Sequence, residues 1–174
     1  SRVINGDTWV SRQGSNGISR DQNSGVFFGM ALTYDLVNDA SVKADCAART
    51  KMLLDYFIAR DWIIDEDRPT VDQGSRGPTF WLGIANQKMA FLLTGMRMWP
   101  GQYAAEFAQT APTVYFNWLG AWTSTFGFDH YYKYNLAHSA YFTYFRYETD
   151  QTRWQEMNRG YRIMERYVGH HRNA

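Results

Sequence analysis

The sequence predicts an all-α protein made of three consecutive αα-hairpins. Apolar residues recur at helical spacing in six stretches. Short turn signals at 38–41, 99–101 and 148–150 join the stretches in pairs, and long polar segments separate the pairs. A faint internal repeat of about 110 residues lays Thr33 and Tyr34 on Thr143 and Tyr144, and Arg49 on Arg159.

Residues 1–21 hold three glycines and little apolar periodicity, so they read as an ordered N-terminal loop with a short strand around Thr8 to Ser11. The pattern turns helical at Ser24. Phe28, Leu32 and Leu36 form one stripe, and Gly25, Gly29 and Thr33 form a stripe of small residues that would admit a neighbouring helix. Asn38-Asp39 ends this helix, and Asp39 or Ser41 caps the next, which runs to about Arg60 with Met52, Leu53, Tyr56 and Phe57 inward. Residues 61–80, with "DEDRPTVDQGSRGPT", read as a loop. A third helix spans about Leu82 to Met98 and stops at Trp99-Pro100-Gly101. A fourth covers about Gln102 to Thr123, kinked or split at Pro112. After the turn "STFGFDH", a fifth runs from about His130 to Glu148, and a sixth from Asp150 to about Gly169. The expectation is one domain over 1–174, with hairpins at about 22–60, 82–123 and 130–169.

Composition excludes several function classes. A net charge of +1 gives no footprint for nucleic acid. No apolar run approaches the ~20 residues of a membrane span. Cys46, the single cysteine, rules out an intrachain disulfide or a thiolate zinc cluster and reads as a core residue. The phosphate, dinucleotide, zinc-protease and EF-hand signatures are missing, so no cofactor or metal is expected; His170-His171 lacks partners for a metal and suits a helix C-terminus. The 17% aromatic content is unusual, and fits either a core of large rings or a cleft that stacks flat ligands. The chain begins with neither Met nor a signal peptide, and is expected to be a piece of a longer one.

"SRDQNSGVFFGMALTYDLVND" and "HHRNA" resemble a group of uncharacterised bacterial proteins whose motif reads SRDQ-x-SG. Successive hairpins with long lead-in loops also resemble the (α/α) toroid of six-hairpin glycoside hydrolases, polysaccharide lyases and sugar epimerases. This second resemblance implies a partial toroid-like array, a saccharide ligand and carbohydrate-active chemistry. Three hairpins make half of such a ring, so a partner chain or a missing segment would complete it.

The site residues expected on this reading lie where the long segments enter helices one, three and five. Asp21, Asp72 and Asp129 offer carboxylates that could pair for glycoside hydrolysis. His130 adds an imidazole that titrates near neutrality. Arg20 and Arg76 could bind a ligand carboxylate or sulfate. Trp9, Trp81, Tyr131 and Tyr132 could stack against sugar, and Tyr131, Asn135 and His138 share a stripe of helix five. Helix N-capping by Asp21 and Asp129 is the structural alternative. A non-catalytic helical module that binds a glycan or a protein, or a subunit of a larger assembly, is the functional alternative.

Overall fold

The computed structural model describes residues 2–4, 7–9, 20–64, 79–80, 85–111 and 131–170. Its described part is all-α: α1 (Arg20–Leu36), α2 (Ala40–Ile58), α3 (Ala85–Met98), α4 (Ala104–Thr110), α5 (Tyr131–Tyr147) and α6 (Gln151–His170). Two short antiparallel ladders accompany them. β1 (Arg2–Ile4) pairs with β2 (Asp7–Trp9), setting Arg2 opposite Trp9. β3 (Ile63–Ile64) pairs with β4 (Thr79–Phe80), which places a ladder inside the segment expected to be loop. A two-residue strand is too short to show a period of two, so sequence pattern misses it. The predicted fourth helix is shorter than expected at its start and stops at Thr110. Ala111, just before Pro112, keeps right-handed helical dihedrals and bonds back to the Phe107 carbonyl; the expected continuation to Thr123 lies outside the described residues.

The direction of the hairpins shows at one carboxylate. Asp35, in the last turn of α1, accepts from Arg146 Nε at 2.5 Å and Arg97 Nε at 3.4 Å. Tyr147 places its hydroxyl 3.2 Å from the same carboxylate and 3.1 Å from the Ala31 carbonyl oxygen. Arg97 lies in the last turn of α3, and Arg146 and Tyr147 close α5. Three helix C-terminal ends therefore meet at Asp35, so α1, α3 and α5 run in the same sense and their N-terminal ends face one common end. The expected grouping of site residues at the starts of helices one, three and five presupposes such a shared end.

The three lead helices also pack pairwise, α1 on α3, α3 on α5 and α1 on α5. A residual cavity of about 10 Å³ at their meeting is lined by residues such as Ser24, Phe27, Ala90 and Thr143. In an arc of a large ring the first and third lead helices would be held apart; here they touch. The return helices sit outside: α2 against α1 and α3, α4 against α3, α6 against α5.

Rings fill the interior. Phe27 stacks on Phe91 at 4.1 Å, and Phe57 packs against both Phe27 and Trp62. The buried face of α1 is Asn23, Ser24, Phe27, Met30 and Ala31, one position away from the expected Phe28–Leu32–Leu36 stripe. Leu36 is 68% exposed, and a Cβ at Gly25 or Gly29 would meet nothing within 4 Å. Both stripes read from the sequence thus lie off the core, because α1 is apolar on two faces and periodicity cannot rank them. On α2 the inward residues are Cys46, Ala47, Thr50, Leu54 and Phe57, and Met52 is exposed. The small residue at a true close approach is Gly95, beside Leu54 and Tyr103.

The turns explain the repeat. Asp39 caps α2 through Ser41 N and Val42 N at 2.8 and 3.0 Å. Asp150 accepts from Arg153 N at 2.8 Å at the start of α6. Ala47, Thr50 and Leu54 are buried on α2, and Met157, Gly160 and Met164 are buried on α6, a recurrence at about 110 residues in side-chain burial. The third hairpin adds a buried anion. Glu148, 1% exposed at its side chain, receives Arg153 at 2.9 and 3.0 Å, Tyr144 Oη at 3.1 Å and Asp150 N at 2.7 Å.

The end of α2 is strained and anchored. Asp61 and Trp62 have positive φ, 49° and 59°, a conformation that costs a residue with a side chain. Trp62 is buried, donates Nε1–H to Glu106 at 2.7 Å, and lies under the Lys88 ammonium at 4.6 Å. Lys88 closes the triad on Glu106 at 2.8 Å.

Three substitutions test these roles. In Gly95→Ala the new Cβ meets Leu54 Cδ1 and comes within 2.8 and 2.9 Å of Tyr103 ring carbons; urea unfolding should show a loss of about 1–3 kcal/mol. Gly29→Ala, in open space, should gain about 0.5–1 kcal/mol in the same measurement. Glu148→Ala leaves Arg153 and Tyr144 without their acceptor and should lower stability by about 3 kcal/mol.

Candidate functional site

The concavity that emerges from this packing lies on the flank of α5. A groove of about 600 Å³ runs between α1, α5 and α6, walled by Phe28, Tyr141, Phe142, Phe145 and Tyr161, with His138, Ser139 and Arg146 as its polar groups. α5 can line it because that helix is apolar on two sides. Tyr134, Ala137, Tyr141 and Tyr144 face the core. His138, Phe142 and Phe145 follow at helical spacing on the adjacent side.

The rings hold one another in defined geometry. Phe28 meets Phe142 edge to face at 5.8 Å. Tyr141 stacks on Phe145 at 5.8 Å, and Tyr161 presents its edge to Tyr141, Phe145 and His138 at 5.3, 5.7 and 5.6 Å. Phe142 remains 49% exposed, an apolar ring offered to whatever enters. From His138 to Arg146 the helix rises about 12 Å, so the groove is elongated along α5.

Electrostatics at its C-terminal end are set by the Asp35 cluster. Burial alone would raise the Asp35 pKa. Hydrogen bonds from Arg146 and Tyr147, with the charges of Arg146 and Arg97, outweigh it and hold the carboxyl below its ordinary value. Two guanidiniums share this one carboxylate, which leaves net positive charge beside the groove. At the opposite wall, burial and a hydrogen bond to Glu165 push the Tyr161 phenol up, and Glu165 is itself matched by Arg162 at 3.7 Å. Burial and then Asp35 raise Tyr147 to about 12, so its hydroxyl keeps its proton.

Of the residues expected from the sequence, the structure brings His138 into this groove. Asn135 is exposed, and its carbonyl oxygen accepts from Ser139 Oγ at 2.8 Å. Arg20 and Asp21 lie inside the first turn of α1, which starts earlier than Ser24, rather than just before the helix; their side chains are outside the described residues, as are those of Trp9, Tyr131 and Tyr132. Asp72, Arg76, Trp81, Asp129 and His130 also fall outside them. Cys46 is buried on α2, and burial raises its thiol pKa. Among the described residues no group of three or more His, Cys, Asp or Glu gathers as a metal cage, and no helix is long and apolar enough to cross a membrane.

Phe28, Phe142, Phe145, Tyr161 and Arg146 were not singled out as a surface by sequence reasoning. The available signal was that α5 has more rings than one core-facing stripe can hold. No family model matches the chain, and searches of curated proteins and of solved structures also found no match.

Asp35 gives a pH prediction. Its folded pKa lies below the free value of 3.8. The stability it contributes is therefore complete above that value and is lost as pH falls through the lowered folded value. Urea titrations of the native chain should show a steep loss below about pH 4. Asp35→Asn should be weaker by ~1–2 kcal/mol at neutral pH, its guanidiniums being partly solvated, and should show a shallower acid limb.

Proposed function

We propose that this protein is a carbohydrate-binding helical protein and that the groove between α1, α5 and α6 holds an acidic saccharide. The observation that carries this reading is the ring-walled groove itself, with a hydroxyl, an imidazole and a guanidinium at its edges. Sugar rings present C–H faces to aromatic side chains and hydroxyl edges to polar ones. Most small-molecule sites combine apolar walls with a few placed polar groups in this way. The charge favours an anion: Arg146 lines the groove, and the carboxylate that holds it is shared with Arg97.

Catalysis is the extension of this proposal. An occupant lying along α5 from Arg146 past His138 points toward the common N-terminal end of α1, α3 and α5. The segments carrying Asp72, and Asp129 with His130, join α3 and α5 there by chain connectivity. Hydrolysis or elimination would fall to those groups and Asp21. The uncharacterised SRDQ-x-SG resemblance adds no activity of its own.

The test is calorimetry with trigalacturonate, a hyaluronan tetrasaccharide and cellotetraose. The two acidic probes should bind more tightly than the neutral one. Phe142→Ala and His138→Ala should each weaken binding about tenfold or more, with little change in Tm for the half-exposed Phe142. Absence of binding by any probe, or native affinity in Phe142→Ala, would remove the groove as a binding surface.

A further inference from the structure

The groove carries its polar groups in a fixed order. His138, Phe142 and Arg146 stand at i, i+4 and i+8 on α5, with about 6 Å of rise between neighbours. All three line the groove. Arg146 is 37% exposed at its side chain and Phe142 is 49% exposed, so both are open to an occupant. Arg146 bonds Asp35 through Nε, and no second carboxylate pairs with it among the described residues; a guanidinium has further N–H donors to offer. His138 meets the Tyr161 ring at 5.6 Å and has no hydrogen-bond partner among the described residues. Between imidazole and guanidinium the wall is made of rings, Phe28, Phe142 and Phe145 among them. Arg146 is the one permanent cation among the described residues that line the groove, and no carboxylate lines it.

We propose that the groove binds a saccharide in which acidic and neutral sugars alternate, with the acid group on Arg146, the neutral ring against Phe142 and a hydroxyl or amide of that ring on His138; this rests on the groove being the binding surface. One cation at one end matches one acid group. Aromatic faces carry partial negative charge, so they favour the C–H face of a neutral sugar and oppose a carboxylate. A chain with an acid on every sugar would set its next carboxylate against Phe142 and Phe145, partly out of water and without a partner, which is costly. In an alternating chain a neutral sugar takes that place, and its polar edge meets His138 and Ser139. Ser139 Oγ already donates to the Asn135 carbonyl, so it offers the ligand an acceptor, while a neutral imidazole offers one donor and one acceptor. The single cation also sets direction: the acidic sugar lies toward the C-terminal end of α5, and the neutral one toward its N-terminal end.

Calorimetry on the full chain at about pH 8, above the ordinary imidazole range, tests this with probes that share one backbone: unsulfated chondroitin tetrasaccharide, its carboxyl-reduced form, and the same tetrasaccharide sulfated on its neutral N-acetylamino sugars. The unsulfated form should bind most tightly, and reduction of its carboxyls should weaken binding about tenfold. Sulfation puts an anion on the sugar assigned to Phe142 and should also weaken binding about tenfold, whereas general attraction of anions to Arg146 would strengthen it. Arg146→Gln should remove the difference between the carboxylated and reduced forms, and His138→Ala should weaken both by the same factor. Arg146 also holds Asp35, so the order of the probes on the native chain decides the matter even where that variant is unstable. Equal or tighter binding of the sulfated form, or equal binding of the reduced form, would overturn the inference. If either is seen while Phe142→Ala still loses binding, the groove stands and the alternation fails. Binding of trigalacturonate alone would have the same meaning. If the native chain binds none of these probes, the groove reading fails, and this inference fails with it.

Discussion

The arrangement depends on a carboxylate shared among three helix ends. Without Asp35, Arg97 and Arg146 would bring two like charges together at the C-terminal ends of α3 and α5. Cations are favourable at helix C-termini, where the dipole is negative, but two of them close together repel unless an anion lies between. Asp35 supplies that anion from α1, and its side chain is 8% exposed. The pairing holds the C-terminal ends of α1, α3 and α5 together, with their N-terminal ends on the other side. Short turns capped by Asp39 and Asp150 then start the return helices α2 and α6.

A second constraint comes from the rings. Three lead helices in mutual contact enclose a small volume, and Phe27 stacked on Phe91 occupies much of it. The remaining aromatics have to pack on the outside of that centre. Phe57 and Trp62 do so under α2, where the positive φ at Trp62 is held by Glu106 and Lys88. On α5 the surplus goes to the other flank and forms the groove. The aromatic content thus serves both uses that composition allowed: part of it is core and part lines a concavity.

Packing on that flank is uneven. Phe142 leaves half its surface in water, and Tyr141 buries a hydroxyl without an acceptor. Both are unfavourable for an isolated fold. The Glu148 cluster on the same hairpin shows the opposite behaviour, since there a buried carboxylate receives Arg153, Tyr144 and the Asp150 amide. The contrast argues that the orphan at Tyr141 is particular to its position rather than a general looseness of packing.

The six described helices, the short turns at Asp39 and Asp150, and the near-repeat of the first and third hairpins were legible in the sequence, because caps and apolar periodicity are local properties. The common sense of the lead helices could be required by the pattern but not shown by it, since it rests on Asp35 meeting residues far along the chain. Local order also could not rank the two apolar faces of α1: Phe28, Leu32 and Leu36 share a stripe by spacing, yet the core takes Phe27, Met30 and Ala31. The groove was least legible, because its walls come from three helices brought together only by packing. The sequence alone determined which segments are helical and where they turn, through short-range hydrogen bonding and spacing. Tertiary structure alone decided which faces meet and which stay open, because that depends on side chains distant in the chain competing for the same space.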